Sequence, residues 1–128
     1  MIVLDSCGWL EVFARSAIGE QYRSALEDET QLVVPSVCIY EVGRRMTLER
    51  GQDVALRHVA VMSRGRIVGL GRDLAVAAMV LGIQHGLPFA DSVIYATAQA
   101  HGAEVWTHDE HFRGLPGVRF VEAPAPTD

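Results

Sequence analysis

Four acidic residues occupy positions where a carboxylate can do chemistry: Asp5, Glu41, Asp91 and Asp109. Asp5 directly follows the apolar run Ile2-Val3-Leu4, and Asp109 lies two residues past Val105-Trp106-Thr107. Glu41 shares a helical stripe with Val37 and Cys38, its i−4 and i−3 neighbours. Asp91 opens a segment that carries Ile94 and Tyr95 on the same side. Carboxylates brought together repel, and at about 4 Å two like charges cost several kcal/mol in a partly buried site. The usual remedy is a divalent cation with oxygen ligands, Mg²⁺ or Mn²⁺. Such an ion suits phosphodiester hydrolysis, because it lowers the pKa of a water, orients it and stabilises the leaving oxygen. Each acid also has an ordinary structural explanation. Asp5 could cap a helix, Asp91 could charge a helix N-terminus, Glu41 could pair with Arg44 or Arg45, and Asp109 could be a solvated turn residue. Four such accidents in one chain explain the joint pattern less well than one shared site does.

The elements that must position these acids can be read from periodicity. Short apolar runs at Ile2–Leu4, Gln31–Val34, Glu104–Thr107 and Arg119–Val121 read as buried strands, with Ile67-Val68 as a short strand or a turn. Helical spacing predicts helices from Ser6, with Ser6 as N-cap, through Phe13, and from Gly19 to Glu29. Further helices are expected from Ser36, again as N-cap, to about Arg50, and over Asp53–Ser63, Asp73–His85 and Ala90–Gly102. Strands alternating with helices imply an α/β fold, a three-layer α/β/α domain with a central, mainly parallel sheet. Ligands of open parallel sheets bind outside the carboxyl ends of the strands, where all four acids would converge.

Composition narrows the functional classes. The chain has 128 residues, 49% of them hydrophobic, enough for one domain with a real core. Residues 1–122 are expected to form that domain, with 123–128 as a flexible C-terminal tail. No apolar run approaches the ~20 residues needed to span a bilayer. The start, Met1-Ile2-Val3-Leu4-Asp5, lacks the basic region of a signal peptide, so a cytoplasmic location is expected. A net charge of −5 does not suit a stand-alone nucleic-acid binder, but a cation entering an acidic site would let the chain act on a polyanion. All 11 basic residues are arginines. The absence of lysine excludes receiver domains and haloacid-dehalogenase-like phosphatases, which combine an acidic cluster with a lysine. Cys7 and Cys38 are too few for a disulfide framework and read as small buried hydrophobes.

His108 and His111 flank Asp109 and, with His101, raise the question of zinc. Structural zinc wants four N or S ligands, often in paired spacing, and that spacing is absent, so the histidines read as structural or solvated. Trp9, Phe13, Met46, Met62 and Met79 at helical spacing read as core or dimer interface. Arg44 and Arg45, beside Glu41, are candidate contacts for RNA phosphate or for an acidic protein segment.

At its acids the chain resembles the PIN-domain family, and within it the VapC-type toxin ribonucleases of type II toxin–antitoxin systems. Four stretches carry the resemblance in order: Val3-Leu4-Asp5-Ser6; Pro35-Ser36 with Tyr40-Glu41-Val42; Leu87-Pro88-Phe89-Ala90-Asp91-Ser92 with Tyr95-Ala96; and Thr107-His108-Asp109 with Phe112. The resemblance implies that Asp5, Glu41, Asp91 and Asp109 hold Mg²⁺ or Mn²⁺ and are catalytic, with the hydroxyls of Ser6 and Thr107 fixing those carboxylates. It implies an endoribonuclease that leaves a 5′-phosphate and a 3′-hydroxyl, dimerises and is silenced by a cognate antitoxin. Two residues depart from the pattern. Cys7 stands where many relatives place a hydroxyl or amide, and a thiol is the poorer hydrogen-bond partner. His111 stands where some relatives carry a further acid, so no fifth carboxylate is expected there. The alternatives are a PIN-type RNA-processing nuclease without antitoxin and a non-catalytic dimeric binding protein with a relic acidic site.

Overall fold

A computed structural model of the chain describes residues 1–123. The tail expected over 123–128 therefore lies, from Pro124 onward, outside the described residues. Among the described residues the strands are short: β1 (Ile2–Leu4), β2 (Val33–Pro35), β3 (Arg66–Val68), β4 (Glu104–Thr107) and β5 (Val118–Phe120). β4 pairs in parallel with β1 on one side and β5 on the other, and β2 pairs in parallel with β3. An isolated parallel bridge from Ile2 to Leu32 joins the two ribbons into the order β3-β2-β1-β4-β5. The sheet is wholly parallel, as expected of strands that are continuous apolar runs rather than alternating ones.

The α-helices among the described residues are α1 (Ser6–Ala14), α2 (Ala17–Glu20), α3 (Ser36–Arg50), α4 (Gln52–Met62), α5 (Arg72–His85) and α6 (Phe89–Ala100). The chain is thus an α/β domain whose central parallel sheet is flanked by helices. α6 is the most enclosed: every residue from Asp91 to Ala98 is buried, against β1, β2, β4, α3 and α5. α5 ends where Gly86 takes a left-handed φ of 67° and Pro88 follows, the C-terminal signal legible in the sequence. Among the described residues, no single helix is long and apolar enough to cross a membrane.

Two readings of local structure require correction. The expected helix over Gly19–Glu29 is broken into α2 and two short 3-10 turns, Arg23–Leu26 and Glu29–Gln31. Tertiary packing decides this: Tyr22 and Ala25 are drawn fully into the core, and Asp28 caps the second turn by accepting from the Thr30 N–H at 3.0 Å. The expected serine caps also move by one residue. Asp5, not Ser6, is the N-cap of α1, and Pro35, not Ser36, precedes α3 without a side-chain cap. Of the residues read as core or interface, Trp9, Met46 and Met62 are buried, Phe13 is half-buried, and Met79 is exposed.

Close packing fixes the start of α1, the helix that carries Asp5 at its cap. A Cβ placed at Gly8 would stand 2.8 Å from Cε1 of Tyr22, whose ring is wholly buried. Gly8→Ala should therefore destabilise the fold by about 1–3 kcal/mol, although alanine is the better helix former. Urea denaturation checks this, and a Gly8→Ala protein as stable as the parent would refute the packing argument.

Candidate active site

The strand order reverses between β1 and β4: from β1 the chain moves outward to β2 and β3, then returns to the other side of β1. The crevice at such a switch point, beyond the carboxyl ends of the strands, is where parallel sheets present side chains to a ligand. Asp5 follows β1 there, and its backbone N–H donates to the Trp106 carbonyl at 3.0 Å, extending the ladder by one residue. Thr107 ends β4 and Asp109 follows it. Glu41 comes from the second turn of α3, Asp91 from the first turn of α6.

Asp5 is held from several sides while only 4% exposed. Its Oδ1 accepts from the Ser6 N–H at 2.7 Å, and its Oδ2 accepts from the Thr107 hydroxyl at 2.8 Å. The Cys7 thiol reaches the same Oδ2 at 3.5 Å and the Thr107 hydroxyl at 3.6 Å, so Cys7 lines the site rather than serving as inert filling. Burial raises the Asp5 carboxyl above the usual carboxylate range, outweighing the stabilising bonds from Thr107 and Ser6, and Asp109 adds repulsion. The Cys7 thiol is pushed up to about 12 by burial and by Asp5, which keeps it protonated and makes it a donor rather than a nucleophile. Ser6 donates its hydroxyl to Oε1 of Glu41 at 2.7 Å, tying α1 to α3. Thr107 also accepts from the Asp109 N–H at 2.9 Å, so one hydroxyl fixes both the Asp5 carboxylate and the Asp109 backbone.

Asp91 is buried, and its carboxyl is pushed up to about 7, first by burial and then by Asp5 and Asp109. Glu41 contributes further repulsion, while His111 opposes the shift. The four carboxylates are thus near enough to act on one another.

The sequence reading of His111 as structural or solvated needs revision. Its Nδ1 lies 3.0 Å from Oδ2 of Asp91 and 3.0 Å from Oδ1 of Asp109, and its backbone N–H donates to that same Oδ1 at 3.0 Å. Asp109 caps a 3-10 turn, Glu110–Phe112, which brings the residue two positions on back to the capping carboxylate. The Asp-x-His spacing after a strand was the available signal. His108, by contrast, is structural: its Nδ1 lies 2.6 Å from the Tyr22 hydroxyl. Arg44 and Arg45 are both exposed on α3, and Arg45 pairs with Glu49. A cavity of about 740 Å³ bounded by α1, α3 and α4 starts beside Cys7 and carries Arg15, Arg45 and Arg50 in its wall.

The donor set fits a divalent cation. One ligand atom from each of Asp91, Asp109 and His111 lies within 4.8 Å of the others. Burial, and after it repulsion from Asp5 and Asp109, raises the Asp91 carboxyl, and a ring nitrogen sits between Asp91 and Asp109 where positive charge would relieve the repulsion.

The PIN domain matches residues 2–118. The chain belongs to the PIN-domain family. No curated protein sequence matches it at a significant level. Among solved structures, it is similar to a toxin–antitoxin complex from Klebsiella pneumoniae, with 23% identity over 95% of this chain and 98% of that one, at a TM-score of 0.82. VapBC2 from Rickettsia felis, bound to a promoter DNA fragment, is 15% identical over 95% of this chain and 100% of that one, at a TM-score of 0.71. Mycobacterium tuberculosis VapC20, a toxin that cleaves the sarcin–ricin loop, is 15% identical over 81% and 85% of the two chains, at 0.67.

A pH dependence follows from the Asp91 shift. Its folded value of about 7 stands above the unfolded 3.8, so the folded state binds this proton more tightly. The resulting stability is complete below about pH 4 and is lost as pH rises through about 7, a change of up to a few kcal/mol. His111, raised above 6.5 chiefly by Asp109, acts in the same direction. In the presence of EDTA, Tm should fall between about pH 5 and about pH 8. Asp91→Asn should flatten the fall, and a wild-type Tm that holds steady or rises over this window would refute the coupling.

Proposed function

We propose that this PIN-domain chain is a metal-dependent endoribonuclease, the toxin of a VapC-type toxin–antitoxin pair, acting in the cytoplasm as a homodimer on RNA phosphodiester bonds. Its nuclease domain spans residues 1–122. The observation that carries this reading is the meeting of Asp5, Glu41, Asp91 and Asp109 at the β1–β4 switch point, with Asp91 raised to about 7 first by burial and then by the charges of its acidic neighbours. Structural neighbours that are toxin–antitoxin assemblies, and one that cleaves an RNA loop, support the toxin role and an antitoxin partner.

Asp5, Glu41, Asp91 and Asp109 are the groups that would hold Mg²⁺ or Mn²⁺, which when bound lowers the pKa of a water and supplies a counter-charge for the scissile phosphate. The protein's own part is preorganisation. The Thr107 hydroxyl and Ser6 N–H hold both oxygens of Asp5 in place. Ser6 occupies Oε1 of Glu41, while Oε2 has no protein partner among the described residues and is free to accept a proton from the attacking water. Water then adds at phosphorus and the 3′-oxygen leaves, giving a 5′-phosphate and a 3′-hydroxyl. Arg44 and Arg45 beside Glu41, with Arg15 and Arg50 along the adjoining cavity, supply positive charge for the RNA backbone or for an acidic antitoxin segment.

Each of Asp5→Ala, Glu41→Ala, Asp91→Ala and Asp109→Ala should lower RNA cleavage by at least about a hundredfold. Tm should hold or rise for Glu41→Ala and Asp91→Ala, which remove a repelling charge and no cap, whereas Asp5→Ala and Asp109→Ala also lose a cap bond worth about 1 kcal/mol. Millimolar Mg²⁺ or Mn²⁺ should raise the wild-type Tm by mass action, and Asp5→Asn should weaken that rise. An Asp91→Ala protein that is destabilised yet fully active would mean that Asp91 is only a helix-terminal residue.

The dimer rests on the outer face of α5. Val76, Met79, Val80 and Ile83 recur at helical spacing and are 46%, 57%, 52% and 81% exposed, and Phe89, 70% exposed, extends the patch. A contiguous apolar face of this kind normally marks an interface, and a two-fold pair is the commonest way to cover it. Ile83→Asp should give a folded monomer by light scattering where the wild type is a dimer. A wild type that stays monomeric at high micromolar concentration would exclude this assignment.

A further inference from the structure

We propose that His111 is itself a ligand of the divalent ion, and that its ring nitrogen makes the site prefer Mn²⁺ to Mg²⁺. The inference rests on the metal-dependent reading above and adds to it a donor of a different element. Its basis is geometric. Nδ1 of His111 stands 3.0 Å from a carboxylate oxygen of Asp91 and 3.0 Å from one of Asp109. An octahedral ion with bonds of about 2.1 Å has adjacent ligand atoms about 3.0 Å apart, so these two separations match the edges of a coordination octahedron. A single N–H proton cannot serve two acceptors well at once. A dication at the same point would bind both oxygens and the ring lone pair together.

The ring is also preorganised for this role. The His111 backbone N–H is bound to Oδ1 of Asp109, and the next residue, Phe112, is fully buried. The turn is therefore anchored on both sides of the imidazole, as a ligand-bearing turn requires. The His111 side chain itself is 55% exposed, which leaves the site open on that side to water and to a phosphate.

The choice of ion follows from donor chemistry. Mg²⁺ demands oxygen ligands and dehydrates reluctantly, so an imidazole gains it little. Mn²⁺ accepts carboxylate oxygens equally well and binds imidazole nitrogen better than Mg²⁺ does. Two carboxylates and one imidazole therefore form a set that discriminates between the two ions, which an all-carboxylate site does much less.

The test is pulsed EPR of the Mn²⁺-loaded full chain, together with titration calorimetry of Mn²⁺ and of Mg²⁺. The wild type should show hyperfine coupling from a directly bound nitrogen. His111→Ala should lose the coupling and weaken Mn²⁺ binding by about tenfold to a hundredfold. His111→Asp should also lose the coupling, retain Mg²⁺ binding, and lower the Mn²⁺-to-Mg²⁺ affinity ratio by about tenfold. Both variants change an exposed side chain, and Tm confirms that they fold. Absence of nitrogen coupling in the wild type, or His111→Ala binding Mn²⁺ as tightly as or more tightly than the wild type, would overturn the proposal. The second result would make the ring a counter-ion that competes with metal. RNA cleavage by the wild type separates the two levels of inference. Cleavage with Mn²⁺ but no nitrogen coupling removes His111 alone, whereas no binding of either ion removes the metal-dependent reading as well.

Discussion

The arrangement depends on a carboxylate that is almost wholly out of water. Asp5 sits at the end of the central strand, 4% exposed, where an ionised carboxyl is costly unless its lone pairs are filled. Thr107 fills one oxygen from β4 and the Ser6 N–H fills the other from α1. That pair of bonds constrains much else. It requires β4 to lie beside β1 in parallel register, with Leu4 opposite Trp106, so that Thr107 and Asp5 end level. It also requires α1 to begin at once, so that the first N–H of the helix points back at its own cap. The same Thr107 oxygen accepts from the Asp109 N–H, so the second acid is positioned by the group that satisfies the first.

Much of this was legible in the sequence because the relevant signals are local. Ile2-Val3-Leu4 followed by an acid, and Val105-Trp106-Thr107 followed two residues later by another, place two carboxylates at strand ends before any tertiary contact is known. The long helices α3 to α6 carry stripe and terminator signals that survive in the fold. From Gly19 to Glu29 the helical spacing is real but short, and burial of Tyr22 beneath α1 overrides it. Serine is a good cap by type, so residue type alone points to Ser6 and Ser36. Which residue turns the corner is decided by where the strand ends, and propensity does not carry that information.

The two departures from the family pattern show a different limit. Cys7 and His111 were judged by residue type, as a weak hydrogen-bond partner and as a solvated side chain. What matters is where the backbone puts them. The first turn of α1 carries the Cys7 sulfur to Asp5, and the turn capped by Asp109 carries the His111 ring back between two acids. In both cases the residue lies two positions after a capping aspartate, a separation at which a tight turn returns the side chain towards the cap. The motif is readable, but only once Asp5 and Asp109 are known to be caps as well as candidate ligands.

These two roles of the aspartates are not in competition. A cap needs one carboxylate oxygen for a backbone N–H, and in both Asp5 and Asp109 that oxygen is Oδ1. The cap bond fixes the plane of the carboxyl and so aims Oδ2. In Asp5 the aimed oxygen is held by Thr107, while in Asp109 the capping Oδ1 itself also faces the His111 ring. Helix-cap geometry therefore supplies the orientation that a metal ligand needs without further contacts. A chain that ends its central strands in aspartate obtains, from ordinary helix initiation, most of the geometry of a site that binds a cation. The mutual repulsion left over is then the property that distinguishes this edge of the sheet from a row of ordinary caps, because caps alone would have no reason to stand close enough to raise one another's pKa values.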